Sequence, residues 1–274
     1  MNTATWNNHY ANIWNRVKPP IRPYDEELVL FRTELEKIIK HKKDIVVLIL
    51  GSTPELRDIA YSYGLNVIVV DYSYDNYRTM GNLCEFEPND SFICCDWLNM
   101  LDYIPKNSVD VIMGEAAFNV IRPKYVNQLF DICNDLLKAD GRLIIKEWIR
   151  LSDDRPSIGK LLQDYREKQI NQDDFYFSLC YPLHILYYDF ENEVVCLRDI
   201  DSQLRKLCNL KVITEDEYAD IGKLDYQKVD LKVYIPKEDD FTYATKSDFR
   251  IVSKSSCSAK YANQHPIYVL KKAI

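Results

Sequence analysis

A glycine that ends one apolar run, and two aspartates that end the next two, are the residues of this sequence best spaced for chemistry. LILGSTPELRDIA places Gly51 after a hydrophobic run and before an amphipathic stretch. In such a turn Thr53 can cap a helix, Pro54 suits its first position and Glu55 favours its positive end. Asp71 closes NVIVVD 20 residues after Gly51, the distance at which an acidic side chain can accept hydrogen bonds from ribose hydroxyls. Asp96 closes SFICCD and is followed by Trp97. That pairs a carboxylate able to accept from an exocyclic amine with an aromatic surface for a purine. Each feature alone reads equally well as ordinary loop chemistry. Turn, Asp71 and Asp96 together describe an adenosine site.

Glycine spacing narrows the adenosine compound. Only seven glycines occur, none closer than 13 residues to the next, which excludes GxGxxG, GxxxxGK[ST] and GxSxG. Ser52, Thr53, Pro54 and Glu55 carry side chains where a dinucleotide cradle places glycines, and Glu55 would repel a phosphate. An amino-acid tail with one carboxylate and one ammonium demands less of the turn. The four histidines are dispersed and the eight cysteines lie mostly in apolar runs without CxxC. Reduced core thiols are therefore expected, with no metal site.

The elements that must hold these residues follow from periodicity. DIVVLIL, NVIVVD, SFICCD, VDVIMG and GRLIIKEW are short β-branched runs, read as strands buried on both faces. Helical stretches separate them at 54–63, 74–84 and 123–138. Alternating strand and helix predicts a doubly wound, mostly parallel α/β sheet. Helices at about 5–17 and from Asp25 to the basic HKK precede it. Beyond Trp148 the alternation stops: an exposed helix over 156–172, an aromatic wall at 175–188 and a charged helix over 191–207 form an insertion. FRIVS and IYVLKK read as a terminal antiparallel pair rejoining the sheet. The expected division is 1–43 as helical lid or cap, 44–150 as core, 151–240 as insertion over the substrate site, and 241–274 as closing strands.

Composition sets the outer bounds. The 274 residues carry 35 Lys+Arg against 42 Asp+Glu, a net charge of −7, which argues against a general nucleic-acid binder. No apolar window long enough to span a membrane occurs, and MNTATWNNHY is unlike a signal peptide, so a cytoplasmic, membrane-free protein is expected.

The ordered set LILGSTPELRDIA, NVIVVDYS, CCDWLNM, SVDVIMGEAAF and LLKADGRLIIKEW resembles the class I S-adenosylmethionine-dependent methyltransferases over about residues 44–150, together with the terminal hairpin. The resemblance implies S-adenosylmethionine as methyl donor. Gly51, Ser52 and Thr53 would line its methionine end, Asp71 would bind ribose, Tyr72 would pack near adenine, and Asp96 and Trp97 would hold the base. Glu115 would face the transferring methyl. The segment from Trp14 through PPIRPYDEE is similar to the preamble that folds over the cofactor in some small-molecule methyltransferases, with Tyr10 and Trp14 as a lid. Arg22 is a candidate to meet a carboxylate, and His184, in YPLHILYY, a candidate general base or else a buried structural residue. GEAAF stands where nucleobase and amide methyltransferases carry an NPPY-type tetrad, so a small-molecule or peptide acceptor is expected. Missing glycines keep open a non-catalytic adenosine-ligand-binding or scaffolding protein. An aminopropyl transferase or nucleotide-dependent oxidoreductase fits the single-glycine turn less well.

Overall fold

In a computed structural model of the chain, residues 14, 19–40, 42–167, 172–221 and 231–273 are described, with side chains of 172–178, 220 and 221 excepted. The expected helix over 5–17 and Tyr10 therefore lie outside the described residues, Trp14 apart.

Five β-branched runs become five parallel strands: β1 (Val46–Leu50), β2 (Asn66–Asp71), β3 (Asp90–Cys94), β4 (Val109–Glu115) and β5 (Leu137–Lys146). β1 and β4, which flank the middle of the sheet, are buried almost throughout, as apolar runs covered on both faces require. Edge strand β3 instead alternates between half-buried and exposed residues. Helices α1 (Asp25–Ile39), α2 (Pro54–Ser62), α3 (Tyr74–Gly81) and α4 (Val126–Leu136) flank the strands. Beyond Lys146 come α5 (Ile158–Arg166), α6 (Gln172–Leu186), β6 (Val195–Cys196), α7 (Leu197–Asn209), α8 (Glu215–Ile221), β7 (Lys232–Val233), α9 (Glu238–Thr245), β8 (Phe249–Ser255) and β9 (Ile267–Lys272). The strand order is β3-β2-β1-β4-β5-β9-β8, with β6 and β7 paired separately. β9 runs antiparallel between β5 and β8, so the terminal pair rejoins the sheet as expected.

Several local expectations are corrected. α1 does start at Asp25, and the cap before it is Tyr24, whose N–H the Glu27 carboxylate accepts at 2.9 Å. Thr53 precedes α2 but its side chain makes no capping bond. β3 ends at Cys94, two residues before Asp96. Asp96 Oδ1 instead accepts the Leu98 N–H at 3.0 Å and starts a 3-10 turn over Trp97–Asp102. β5 begins at Leu137, because the Lys138-to-Gly141 segment that reads as a turn continues the strand opposite Val109 with a register shift. The aromatic wall is helix α6, continuing through Pro182. The helix expected to be exposed, α5, buries Leu161 and Leu162.

One apolar cluster joins Trp14, Met80 and Trp148 to Leu179, Leu183, Leu197, Leu204 and Val233 of the 151–240 segment. That burial packs the segment against the carboxyl ends of the strands. All eight cysteines are free thiols, and Cys94 alone among them is exposed. Among the described residues, no helix is long and apolar enough to cross a membrane. No group of three or more His, Cys, Asp and Glu among them is placed to hold a metal.

Candidate functional site

The strand order reverses between β1 and β4, and ligands of open α/β sheets bind beyond the strand ends at such a point. A cavity lies there, with an empty volume of about 1050 Å³ including its open mouth. Leu50 and Gly51 from the end of β1, Asp71 and Tyr72 from the end of β2, and Glu115 and Ala116 from the end of β4 line it. Trp14, Trp148, His184, Leu197, Leu231 and Val233 form its far wall.

Gly51 holds φ at +87°, a left-handed conformation, and a Cβ there would sit 3.6 Å from Trp97 Cζ2. Turn geometry, more than space, therefore calls for glycine. The Trp97 indole is fixed by its N–H donating to the Val70 carbonyl at 2.8 Å, and its ring forms an apolar floor beside Gly51. Ser52 and Thr53 also line the cavity.

Asp71 is 5% exposed and bonded from all sides. Oδ2 accepts from Ser52 Oγ at 2.6 Å and from Asn76 Nδ2 at 3.0 Å. Oδ1 accepts the Ser73 N–H at 2.9 Å, and the Tyr72 backbone adds a fourth donor. Burial lifts its pKa above the usual carboxylate value, while these donors pull it down. A carboxylate offers about four acceptor positions, so a ribose hydroxyl must share Asp71 or displace Ser52. Asn76 also lines the cavity, and its buried Oδ1 has no partner. Sequence reasoning missed Asn76, because an asparagine in the first turn of a helix reads as a surface residue.

Glu115 contrasts with Asp71. Its side chain is 3% exposed, Oε1 meets Lys146 Nζ at 3.2 Å, and Oε2 is buried without a partner. Lys146, itself inaccessible, also meets Glu27 Oε2 at 2.7 Å and donates to the Pro20 carbonyl at 3.2 Å. Burial pushes the Glu115 carboxyl up to about 8, against the pull of Lys146 and with help from Glu27 and Glu55. Burial depresses the Lys146 ammonium, but Glu27 and Glu115 more than offset this and hold it at about 12. Of the two carboxylates Glu27 lies nearer, so the lysine's charge is balanced mainly there. The next residue, Ala116, has φ +49°, a left-handed conformation unfavourable for alanine. Glu147 accepts the Phe118 N–H at 3.2 Å and steadies the loop that follows. Lys146 and Glu147 interrupt the apolar run LIIKEW, a signal that could have marked them.

The remaining candidates fall as follows. His184 lines the cavity with Nδ1 2.6 Å from the Cys180 carbonyl, to which it donates as the neutral ring. Burial pulls its pKa down to about 4, and its ring meets Trp148 edge-on at 4.9 Å. Both favour the buried structural reading over a general base. Trp14 lines the cavity, and its N–H donates to Glu55 Oε1 at 3.0 Å. Arg22 meets the same Glu55 oxygen, so the carboxylate it engages belongs to its own chain, and it is not part of the lining. Asp96, two residues beyond β3, is likewise outside the lining. Asn119, also missed, lines the cavity but is used internally: its amide bonds the Trp148 N–H and carbonyl and the Tyr234 carbonyl at 2.7 to 2.8 Å.

No family model and no curated protein matches the chain. Solved structures match along nearly its whole length. The CcbJ methyltransferase from Streptomyces caelestis superposes with a TM-score of 0.60 at 8% identity, covering 97% of this chain and 96% of the other. An S-adenosylmethionine-dependent methyltransferase from Clostridium acetobutylicum gives 0.58 at 15% identity, covering 97% and 99%. A Rhodobacter sphaeroides protein that bears the name of Zn-dependent alcohol dehydrogenases gives 0.59 at 14% identity, covering 96% and 95%. These likenesses establish the fold: a seven-stranded, Rossmann-like sheet of the kind class I S-adenosylmethionine-dependent methyltransferases use. Because that fold also carries a dehydrogenase name, activity must be argued from the site.

Proposed function

We propose that the chain binds S-adenosylmethionine at the ends of β1, β2 and β4 and transfers its methyl group to a small-molecule or peptide acceptor. One observation carries the reading. The cavity is lined by two carboxyl side chains, Asp71 and Glu115, and by no Lys or Arg among the described residues. S-adenosylmethionine carries a sulfonium and an ammonium against one carboxylate, and so is net cationic. A nicotinamide dinucleotide carries an anionic diphosphate and would find neither a basic side chain nor a glycine-rich cradle.

The residues present fit the cofactor. Asn76 Oδ1, buried and unpartnered, is an acceptor for a ligand hydroxyl or amine beside Asp71. The Trp97 ring supplies an apolar surface beside the Gly51 turn, and Tyr72 borders the same end of the cavity. The bound cofactor supplies a methyl group on a positively charged sulfur, open to in-line displacement. The chain's contribution is to hold donor and acceptor in line and to exclude water, through Trp14 on one side and His184, Leu197, Leu231 and Val233 on the other. The division into a core at 44–150, a covering segment at 151–240, closing strands at 241–274 and a cap at 1–43 is part of this proposal. It is supported by the lining contributed by Trp14, His184, Leu197, Leu231 and Val233.

A second reading, a non-catalytic adenosine-ligand binder, is favoured by the four donors already on Asp71. Calorimetry with S-adenosylmethionine, S-adenosylhomocysteine and NAD tests the proposal. Binding of the first two without NAD is expected, and binding by neither overturns it. Retention of S-adenosylmethionine with no turnover in mixtures of small-molecule acceptors favours the second reading.

A further inference from the structure

We infer that the methyl acceptor is a protic group, an O–H or N–H, whose proton passes to Glu115 Oε2, and that Lys146 and Glu27 are the positioning residues that keep this oxygen available. This rests on the methyltransferase reading and names the acceptor class that reading leaves open. The geometry has three parts. Oε2 is buried and has no partner, on a residue that lines the cavity. The other oxygen is tied to Lys146, which fixes the carboxyl group in place. Lys146 is in turn held by Glu27 on α1 and by the Pro20 carbonyl. A buried polar atom without a hydrogen bond destabilises the free protein. An acceptor that donates to Oε2 removes that cost, whereas a thioether, a tertiary amine or an aromatic carbon brings no donor.

The step balances. The acceptor oxygen or nitrogen forms a bond to the methyl carbon, the carbon–sulfur bond breaks with its electrons going to sulfur, and the acceptor proton moves to Oε2. Burial favours the neutral form of Glu115, so proton uptake restores the state the site prefers. The charged and titratable groups around it are Lys146 and Glu147 at the end of β5, Glu27 on α1 and Glu55 on α2, with His265 behind Lys146. Glu115 titrates near 8, so its proton-accepting form grows tenfold per pH unit below that value and levels off above it.

Two measurements on the full chain test the inference without a known acceptor. In difference infrared spectra taken from pH 5.5 to 9.5, a protonated-carboxyl band should bleach with a midpoint near 8 and be missing in Glu115→Gln. Glu27→Gln removes an anion and should move that midpoint down, which a merely structural role would not do. Lys146→Met puts the fold at risk, so Glu27→Gln carries this arm. Phenol, anisole and benzene are then bound to protein loaded with S-adenosylhomocysteine. At pH 9, where Oε2 is ionised and accepts, phenol should bind about tenfold more tightly than anisole, as expected for one hydrogen bond to a buried carboxylate, and Glu115→Leu should abolish the preference. A Glu115 already ionised at pH 6, no binding of phenol, or a preference that survives Glu115→Leu overturns the inference. Failure of S-adenosylhomocysteine itself to bind overturns the methyltransferase reading instead, and leaves the infrared result standing.

Discussion

Two strand ends that line one cavity present carboxyl groups in opposite states. At the end of β2, Asp71 is wrapped by Ser52, Ser73, Asn76 and the Tyr72 backbone. At the end of β4, Glu115 has one oxygen on Lys146 and the other on nothing. Both are buried and both have raised pKa values, so burial alone does not tell them apart. Hydrogen-bond saturation does. A saturated carboxylate organises a turn and presents a fixed surface, while an unsaturated one is left with something to do.

The comparison breaks most severely at Lys146. Lys146→Met leaves Glu27 and Glu115 buried without their cation, and should cost about 3–5 kcal/mol in denaturant unfolding. Adding Glu27→Gln should recover part of that. Asp71→Ala removes the acceptor shared by four donors, costing about 1–3 kcal/mol of stability and about tenfold or more in S-adenosylmethionine affinity by calorimetry. Unchanged affinity in a folded Asp71→Ala protein would move the ligand away from β2.

Glu115→Gln sharpens the contrast through pH. The folded pKa of Glu115, about 8, lies above its ordinary value of 4.5. The wild type therefore binds more protons folded than unfolded and loses stability as pH rises from 4.5 to 8. The glutamine variant lacks that loss, so its stability relative to wild type should climb across this window and level off above it. One pKa unit corresponds to about 1.4 kcal/mol, and the climb should exceed that amount in urea titrations at pH 5 and 9. The smallest effect is expected at Asp96. Asp96→Ala removes the acceptor that starts the 3-10 turn, costing about 1 kcal/mol, and should leave S-adenosylmethionine affinity unchanged because Asp96 is outside the lining.

The central parallel strands were legible because strands buried on both faces are written as short, unbroken β-branched runs such as VVLIL and VDVIMG, set apart by amphipathic stretches. Gly51, Ser52, Thr53, Asp71, Tyr72 and Glu115 were legible as positions, since each follows directly from where such a run ends, and Trp97 as the aromatic residue next to Asp96. The strand end was misplaced at Asp96 because β3 stops at Cys94 and the Asp96 side chain bonds its own turn, a local competition that composition does not reveal. Asn76 escaped notice because an asparagine in a helix's first turn reads as a surface residue, and Asn119, Glu27 and Lys146 because their importance lies in partners far along the chain. Lys146 meets Glu27 across 119 residues, and no local pattern encodes such a pair. β6 and β7, two residues each, are too short for any periodicity.

The placement of β9 between β5 and β8 bears on how the chain is made. Synthesis delivers β5 by Lys146, but the strand that pairs with its free side begins only at Ile267. Throughout the intervening translation β5 is an uncovered sheet edge, with bare N–H and C=O groups that another nascent chain could pair with. The ribosome must therefore release the covering segment, α9, β8 and β9 before the edge of β5 is covered, and the edges that remain in the finished sheet are the outer strands β3 and β8.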